Sequence, residues 1–365
     1  MTDSGLALRG LTRTRRQFLK DCQLGLGSIA LSQLASNGAR AATESGAMSP
    51  RVGPRRGRAK NVIYLHMSGG PSAMDMFDYK PQLNQMHMKP CPEAFYKDKR
   101  LAFIKGRPTL LGCQQSFRQV GQNGSWVTEL LPEFAGVVDD VAFVHSMWTD
   151  QFNHAPAELM LYTGKAQFGG ASMGSWITYG LGSENENLPG LVVLVSGGTD
   201  PTGGKALWGS GFLPSVYQGV QCRTEGEPIL FVSNPDGMSG ATRRSSLDAL
   251  RRLNELEYQR FGDPGTLTRI SQYELAYRMQ ITAPGVMDIS REPEWALREY
   301  GAEPGASSFA NNCLLARRLV EQGVRYVQLY DWGWDIHGNS KGNALNTALP
   351  AKCRDIDRPI TALLR

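Results

Sequence analysis

Beyond the first sixty residues, short apolar runs alternate with stretches in which apolar residues recur every three or four positions. The run Asn61-Val62-Ile63-Tyr64-Leu65-His66-Met67 is β-branched and aromatic, and Ser68-Gly69-Gly70-Pro71-Ser72 closes it. That is the pattern of a buried strand ending in a tight turn. Residues 141–144, 191–195, 229–232 and 324–330 have the same form and predict four more strands. Between them lie helical periods. Ser246 is placed to cap a helix with Leu247, Leu250, Leu253 and Leu256 on one side, stopped by Asp263-Pro264. Ser307 or Ser308 is placed to cap another, with Phe309, Cys313, Ala316 and Val320 at helical spacing and Gly323 as its end. Strands alternating with helices predict an α/β fold, a mostly parallel sheet flanked by helices. In such sheets the chemistry gathers at the carboxyl ends of the strands.

The chain has 365 residues, 41% hydrophobic and 20% charged, which excludes a disordered or collagen-like protein. A formal charge of +5 invites a nucleic-acid partner, but the positive charge sits at the front. Residues 1–41 hold Arg9, Arg13, Arg15, Arg16, Lys20 and Arg40 against Asp3 and Asp21. Thr14-Arg15-Arg16-Gln17-Phe18-Leu19-Lys20, an apolar stretch from Leu24 to Leu34 and then Ala39-Arg40-Ala41 predict a twin-arginine signal peptide with its cleavage site. The expected first partner is therefore the twin-arginine translocase, and the expected location is periplasmic or secreted. Residues 42–60 are rich in Gly, Pro, Ser and Arg and read as a linker; without interleaved aromatics to stack bases they predict no nucleic-acid partner. Beyond residue 60 there remain 28 basic against 31 acidic side chains, so the basicity belongs to the signal and linker. The region 61–365 is read as one α/β domain. It has no run of about 18 apolar residues, so no membrane span is expected in the mature chain. Its cysteines are scattered without a C-x-x-C pair, which argues for small buried hydrophobes over a cysteine zinc site.

Candidate chemistry stands at three predicted strand ends. Ser68 and Ser72 flank the glycines after the first strand, as donors or nucleophiles or simply as a turn and a helix cap. No P-loop and no nucleophile elbow is present. After residue 144 comes a stretch with His145, Asp150, Asn153, His154 and Glu158, in which imidazole, amide and carboxylate groups suit a metal or an oxyanion. After residue 330 comes Asp331-Trp332-Gly333-Trp334-Asp335-Ile336-His337. The D-x-H spacing of Asp335 and His337 puts both side chains on one side of an extended loop, as metal ligands require, with Asp331 as a third oxygen donor. The expected cofactor is a divalent ion, Zn, Ca, Mg or Mn.

These blocks together (N-V-I-Y-L-H-M-S-G-G-P-S-A-M-D-M-F-D-Y-K-P, F-N-H-A-P-A-E-L-x4-T-G, S-M-G-S-W-I-T-Y-G-L-G, L-P-G-L-V-V-L and W-D-I-H-G-N) resemble the exported bacterial family known as domain of unknown function 1501. That family is similar to the sulfatase and alkaline phosphatase superfamily. The resemblance implies an alkaline-phosphatase-like sheet and metal-assisted hydrolysis of sulfate or phosphate esters, small or on a polysaccharide. It sets His154 where sulfatases carry their cysteine nucleophile and Glu158 where an arginine would be, which leaves His154 as nucleophile, acid/base or metal ligand, with Asn153 beside it. It sets Asp335 and His337 on the metal loop and Asp357 on the acid that follows. The family's G-E-F-G-R-T-P and G-R-D-H-W blocks do not occur before Arg365, so the domain is expected to lack its C-terminal part and possible activity is expected to suffer. The alternative from another class is a non-catalytic glycan-binding or scaffold protein on the same fold, with Trp148, Trp332 and Trp334 lining a cleft.

Overall fold

The apolar runs near Val62, Leu191 and Tyr326 become the long strands of one sheet in the computed structural model, which describes residues 48–51, 57–99, 106–223, 234 and 237–365. The signal peptide, much of the linker and the expected strand at 229–232 lie outside the described residues. In chain order the elements are β1 (Val62–Ser68), α1 (Ala73–Met76), α2 (Pro81–Gln85), α3 (Glu93–Tyr96), β2 (Phe117–Val120) and β3 (Ser125–Thr128). There follow α4 (His154–Thr163), α5 (Met173–Leu181), β4 (Leu191–Ser196), β5 (Val220–Cys222), α6 (Gly240–Phe261) and α7 (Pro264–Met287). Then come α8 (Glu294–Tyr300), α9 (Phe309–Glu321), β6 (Tyr326–Trp332) and α10 (Leu345–Leu364). The main sheet runs β1-β6-β4-β5 with every pairing parallel, and β2 and β3 form a separate antiparallel hairpin.

Strand alternation divides the sheet into two faces. Val192, Leu194, Val327 and Leu329 point into a core with Cys313, Leu314, Leu349 and Cys353 from α9 and α10. Leu191, Val193, Tyr326 and Tyr330 point the other way, against Leu159 and Tyr162 of α4 and against Leu207 and Trp208. The register pairs Leu329 with Leu65 on one side and with Leu194 on the other, which aligns the carboxyl ends of β1, β6 and β4 along one edge.

Several local expectations hold. Ser308 caps α9 by accepting the Asn311 N–H, and Phe309, Cys313 and Ala316 are buried. All five described cysteines are free, and four of them are buried. Others do not hold. Residues 141–144 are irregular chain, not strand; Phe143 packs on the rings of Phe77 and Phe134 at 5.6 and 6.4 Å, which shelters it without a neighbouring strand. The helix assigned to Ser246 begins earlier, capped by Ser239 through the Thr242 N–H, and of the predicted leucine stripe only Leu247 is buried. The last strand lies two residues further on than expected, so Asp331 and Trp332 belong to β6 and not to the loop after it. β5 has only three residues, too few to leave a pattern.

Candidate active site at the carboxyl edge of the sheet

Two sharp turns bring the loops of this edge together. Gly69, just after β1, has φ +113°, and a Cβ there would lie 2.4 Å from the Asp335 nitrogen. Gly197, just after β4, has φ +83°, and a Cβ there would lie 2.5 Å from the Trp332 carbonyl oxygen. Only glycine allows both the backbone angle and the approach. The loop after β6 is pinned by Trp334, which is fully buried, donates its backbone N–H to the Ser68 carbonyl at 3.2 Å and its Nε1–H to Asp331 at 2.9 Å. Asp335 follows at once and is held against the β1 turn.

His154 is the first residue of α4, and its Nε2 stands 3.4 Å from Asp335 Oδ2. His337 Nε2 stands 2.6 Å from Asp335 Oδ1. One carboxylate thus links two imidazoles from distant parts of the chain, all three side chains partly open to solvent. Asn153 is the N-cap residue of α4, is exposed, and makes no side-chain cap bond. The first-turn N–H groups of that helix are consequently not covered by its side chain, and a helix start of this kind favours an anion.

The other expected site residues, Ser68 apart, are engaged in hydrogen bonds within the fold. Asp331 is buried; its Oδ1 accepts from Ser196 Oγ at 2.8 Å, and its Oδ2 accepts from Trp334 Nε1 at 2.9 Å and Lys352 Nζ at 2.8 Å. Ser72 donates to Asp75 Oδ2 at 2.7 Å, and Asp75 also accepts the Gln114 N–H. Ser68 is fully buried, and among the described residues its Oγ has no hydrogen-bond partner. Glu158, one turn along α4 from His154, is buried, and its Oε2 accepts from Thr202 Oγ1 at 2.9 Å and the Gly203 N–H at 2.7 Å, so it ties the helix to a neighbouring loop. Asp357 accepts the backbone N–H groups of Glu133 and Phe134 at 3.0 and 2.8 Å, capping that turn.

His66 is the residue that sequence reasoning passed over. Its ring lies between Tyr162 and Tyr330, with centroids at 5.5 and 5.4 Å, and its Nε2 faces Glu158 Oε1 at 3.6 Å. That separation is longer than a normal hydrogen bond. Burial alone would raise the Glu158 carboxyl, but His66 and the bonds from Gly203 and Thr202 outweigh it and hold the carboxyl below its usual range. A lone histidine inside the apolar run of β1 was the available signal.

A divalent ion needs several donors around one point. Among the described residues no group of three or more His, Cys, Asp and Glu side chains is so arranged. His154 and His337 face different oxygens of Asp335, and the Asp331 carboxylate is filled by its own donors. The expected set Asp331, Asp335 and His337 therefore does not fit a metal centre. The expected tryptophan cleft loses a wall too, because Trp334 is core, while Trp148 is 84% exposed.

Comparison with curated proteins and with solved structures gave no match. A family model matches residues 59–365, nearly all of the chain beyond the basic N-terminal segment. On that match the chain belongs to the family described as "Protein of unknown function (DUF1501)".

Proposed function

We propose that the domain hydrolyses an ester of phosphate or sulfate by imidazole acid–base chemistry, on an alkaline-phosphatase-like sheet. The observation that carries this reading is the His154–Asp335–His337 linkage at the carboxyl ends of β1 and β6. With each Nε2 turned toward the Asp335 carboxylate, the Nδ1 of each ring is left for the substrate and the water. His154 takes a proton from the attacking water as its oxygen bonds to phosphorus or sulfur, and Asp335 stabilises the imidazolium that forms. His337 serves as the general acid, supplying a proton to the leaving oxygen as the ester bond breaks. The start of α4 favours the charge on the transferred group. The twin-arginine motif supports action outside the cytoplasm on an exported substrate, small or polysaccharide, and no described helix is long and apolar enough to cross a membrane.

The test is turnover of aryl phosphates and aryl sulfates by the purified chain, with and without a chelator. His154→Ala is expected to lower kcat/KM by about 100-fold or more, the usual worth of a positioned acid or base. Turnover equal in His154→Ala and the parent chain would refute the assignment, as would no turnover of any ester.

A further inference from the structure

The start of α4 carries His154, but its cap residue does not anchor it. Asn153 makes no side-chain cap bond, and Val144, Met147 and Trp148 ahead of it are 63–84% exposed. A polar anchor lies one turn further on. His154 and Glu158 are four residues apart and so share one face of the helix. Glu158 Oε2 ties that face to the loop at Thr202 and Gly203, while Oε1 is buried and, among the described residues, has no hydrogen-bond partner. What faces Oε1 is the His66 ring of β1, its Nε2 at 3.6 Å and its side chain 15% exposed, set between Tyr162 and Tyr330. Three residues beyond His66, at the end of the same strand, Gly69 packs against the Asp335 backbone.

We propose that His66 is a positioning residue for the His154–Asp335 pair: it holds α4 through Glu158, as the Gly69 turn of the same strand holds Asp335. The role rests on the acid–base reading of that pair; the geometry behind it does not. Leu159 and Tyr162 press α4 onto the sheet, but apolar contact has no direction. A carboxylate facing an imidazole fixes both the rotation and the height of the helix. Burial pushes the Glu158 carboxyl up, yet His66 and the bonds from Gly203 and Thr202 hold it below its usual range, so it stays ionised. An ionised carboxylate only accepts, so the contact is attractive when the proton of His66 sits on Nε2. The Oε2 bonds tie α4 to a loop; the Oε1 contact ties it to the strand that also places Asp335. A misplacement of about 1 Å at a reacting group costs on the order of 100-fold in rate, so an anchor one turn from His154 matters to turnover.

The test is nitrogen NMR of the full chain with isotope-labelled histidine, near neutral pH, alongside ester turnover. The sequence has five histidines, so single substitutions assign each ring. In the parent chain His66 is expected to carry a proton on Nε2. His66→Phe keeps a ring between Tyr162 and Tyr330 and removes the donor. Its His154 signals are expected to move to those seen in Asp335→Ala, and its kcat to fall by roughly 10- to 100-fold. His66→Gln, whose amide nitrogen can stand where Nε2 stood, is expected to restore both. A role in packing alone predicts the reverse, rescue by Phe and not by Gln. A bare Nε2 on His66 in the parent overturns the proposal, as does a folded His66→Phe with unchanged His154 signals. If His66→Phe does not fold, the parent tautomer and His66→Gln decide: a bare Nε2, or displaced His154 signals in folded His66→Gln, overturns it. A parent chain that turns over no ester while these signals behave as expected refutes the hydrolase reading and leaves the positioning of His154 standing.

Discussion

Replacing Asp331 by alanine separates the two tasks this carboxylate could have. In the structure it is an acceptor for three donors: Ser196 Oγ, Trp334 Nε1 and Lys352 Nζ, at 2.8, 2.9 and 2.8 Å. Asp331 is 2% exposed and the Lys352 side chain 18%, so removing the carboxylate leaves a largely buried ammonium with the Trp332 carbonyl as its remaining partner and a fully buried indole N–H without its acceptor. Hydrogen bonds to charged groups contribute about 1.5–3 kcal/mol each, but they share one acceptor and do not add. Breaking one partner out of a buried pair costs about 3–5 kcal/mol, and that is the loss expected for Asp331→Ala. The assay is urea unfolding followed by tryptophan fluorescence, with and without a chelator. Adding Lys352→Met to Asp331→Ala is expected to cost less than the two single losses summed, because the stranded charge is gone. A loss below about 1 kcal/mol for Asp331→Ala would refute the structural role. A parent chain that a chelator destabilises as much as the substitution does would return Asp331 to metal binding.

Gly69→Ala is expected to be costly in a way that Gly70→Ala is not. Both have positive φ, worth about 1–2 kcal/mol of strain for alanine, but a Cβ at Gly69 also meets the Asp335 backbone at 2.4 Å while one at Gly70 meets nothing within 4 Å. Thermal unfolding and ester turnover of the two variants check this, with Asp335 displaced and turnover lost only in the first. Glu158→Gln is expected to change how stability depends on acid. The folded-state carboxyl is held below its usual range, so its contribution is present above the unfolded pKa of about 4.3 and is lost as pH falls through the lower folded value. The parent chain should therefore lose stability on acidification below about pH 4.3 more steeply than Glu158→Gln, and parallel urea midpoints in the two proteins would contradict it.

Much of the scaffold is readable without a structure because it depends on local physics. The apolar runs of β1, β4 and β6 need only burial on both faces, and α9 needs only its serine cap and its period. The Asp335–His337 contact was legible for the same reason, since two residues of extended chain set the distance between them. Residues 141–144 misled because a short apolar run serves a strand and an irregular segment equally; here Phe143 packs on the rings of Phe77 and Phe134, while Val144 is exposed.

The functional roles were a different matter. Nothing in the local pattern says that Asp331 falls within β6, where its neighbours Ser196 and Lys352 come from another strand and a later helix. Nor does it say that Glu158 turns inward to Thr202 and Gly203 while His154, one turn earlier on the same helix, reaches Asp335. Residue type and spacing select which groups could do chemistry. Which of them are free to do it depends on what occupies their lone pairs, and those partners arrive from far along the chain when the sheet closes in register.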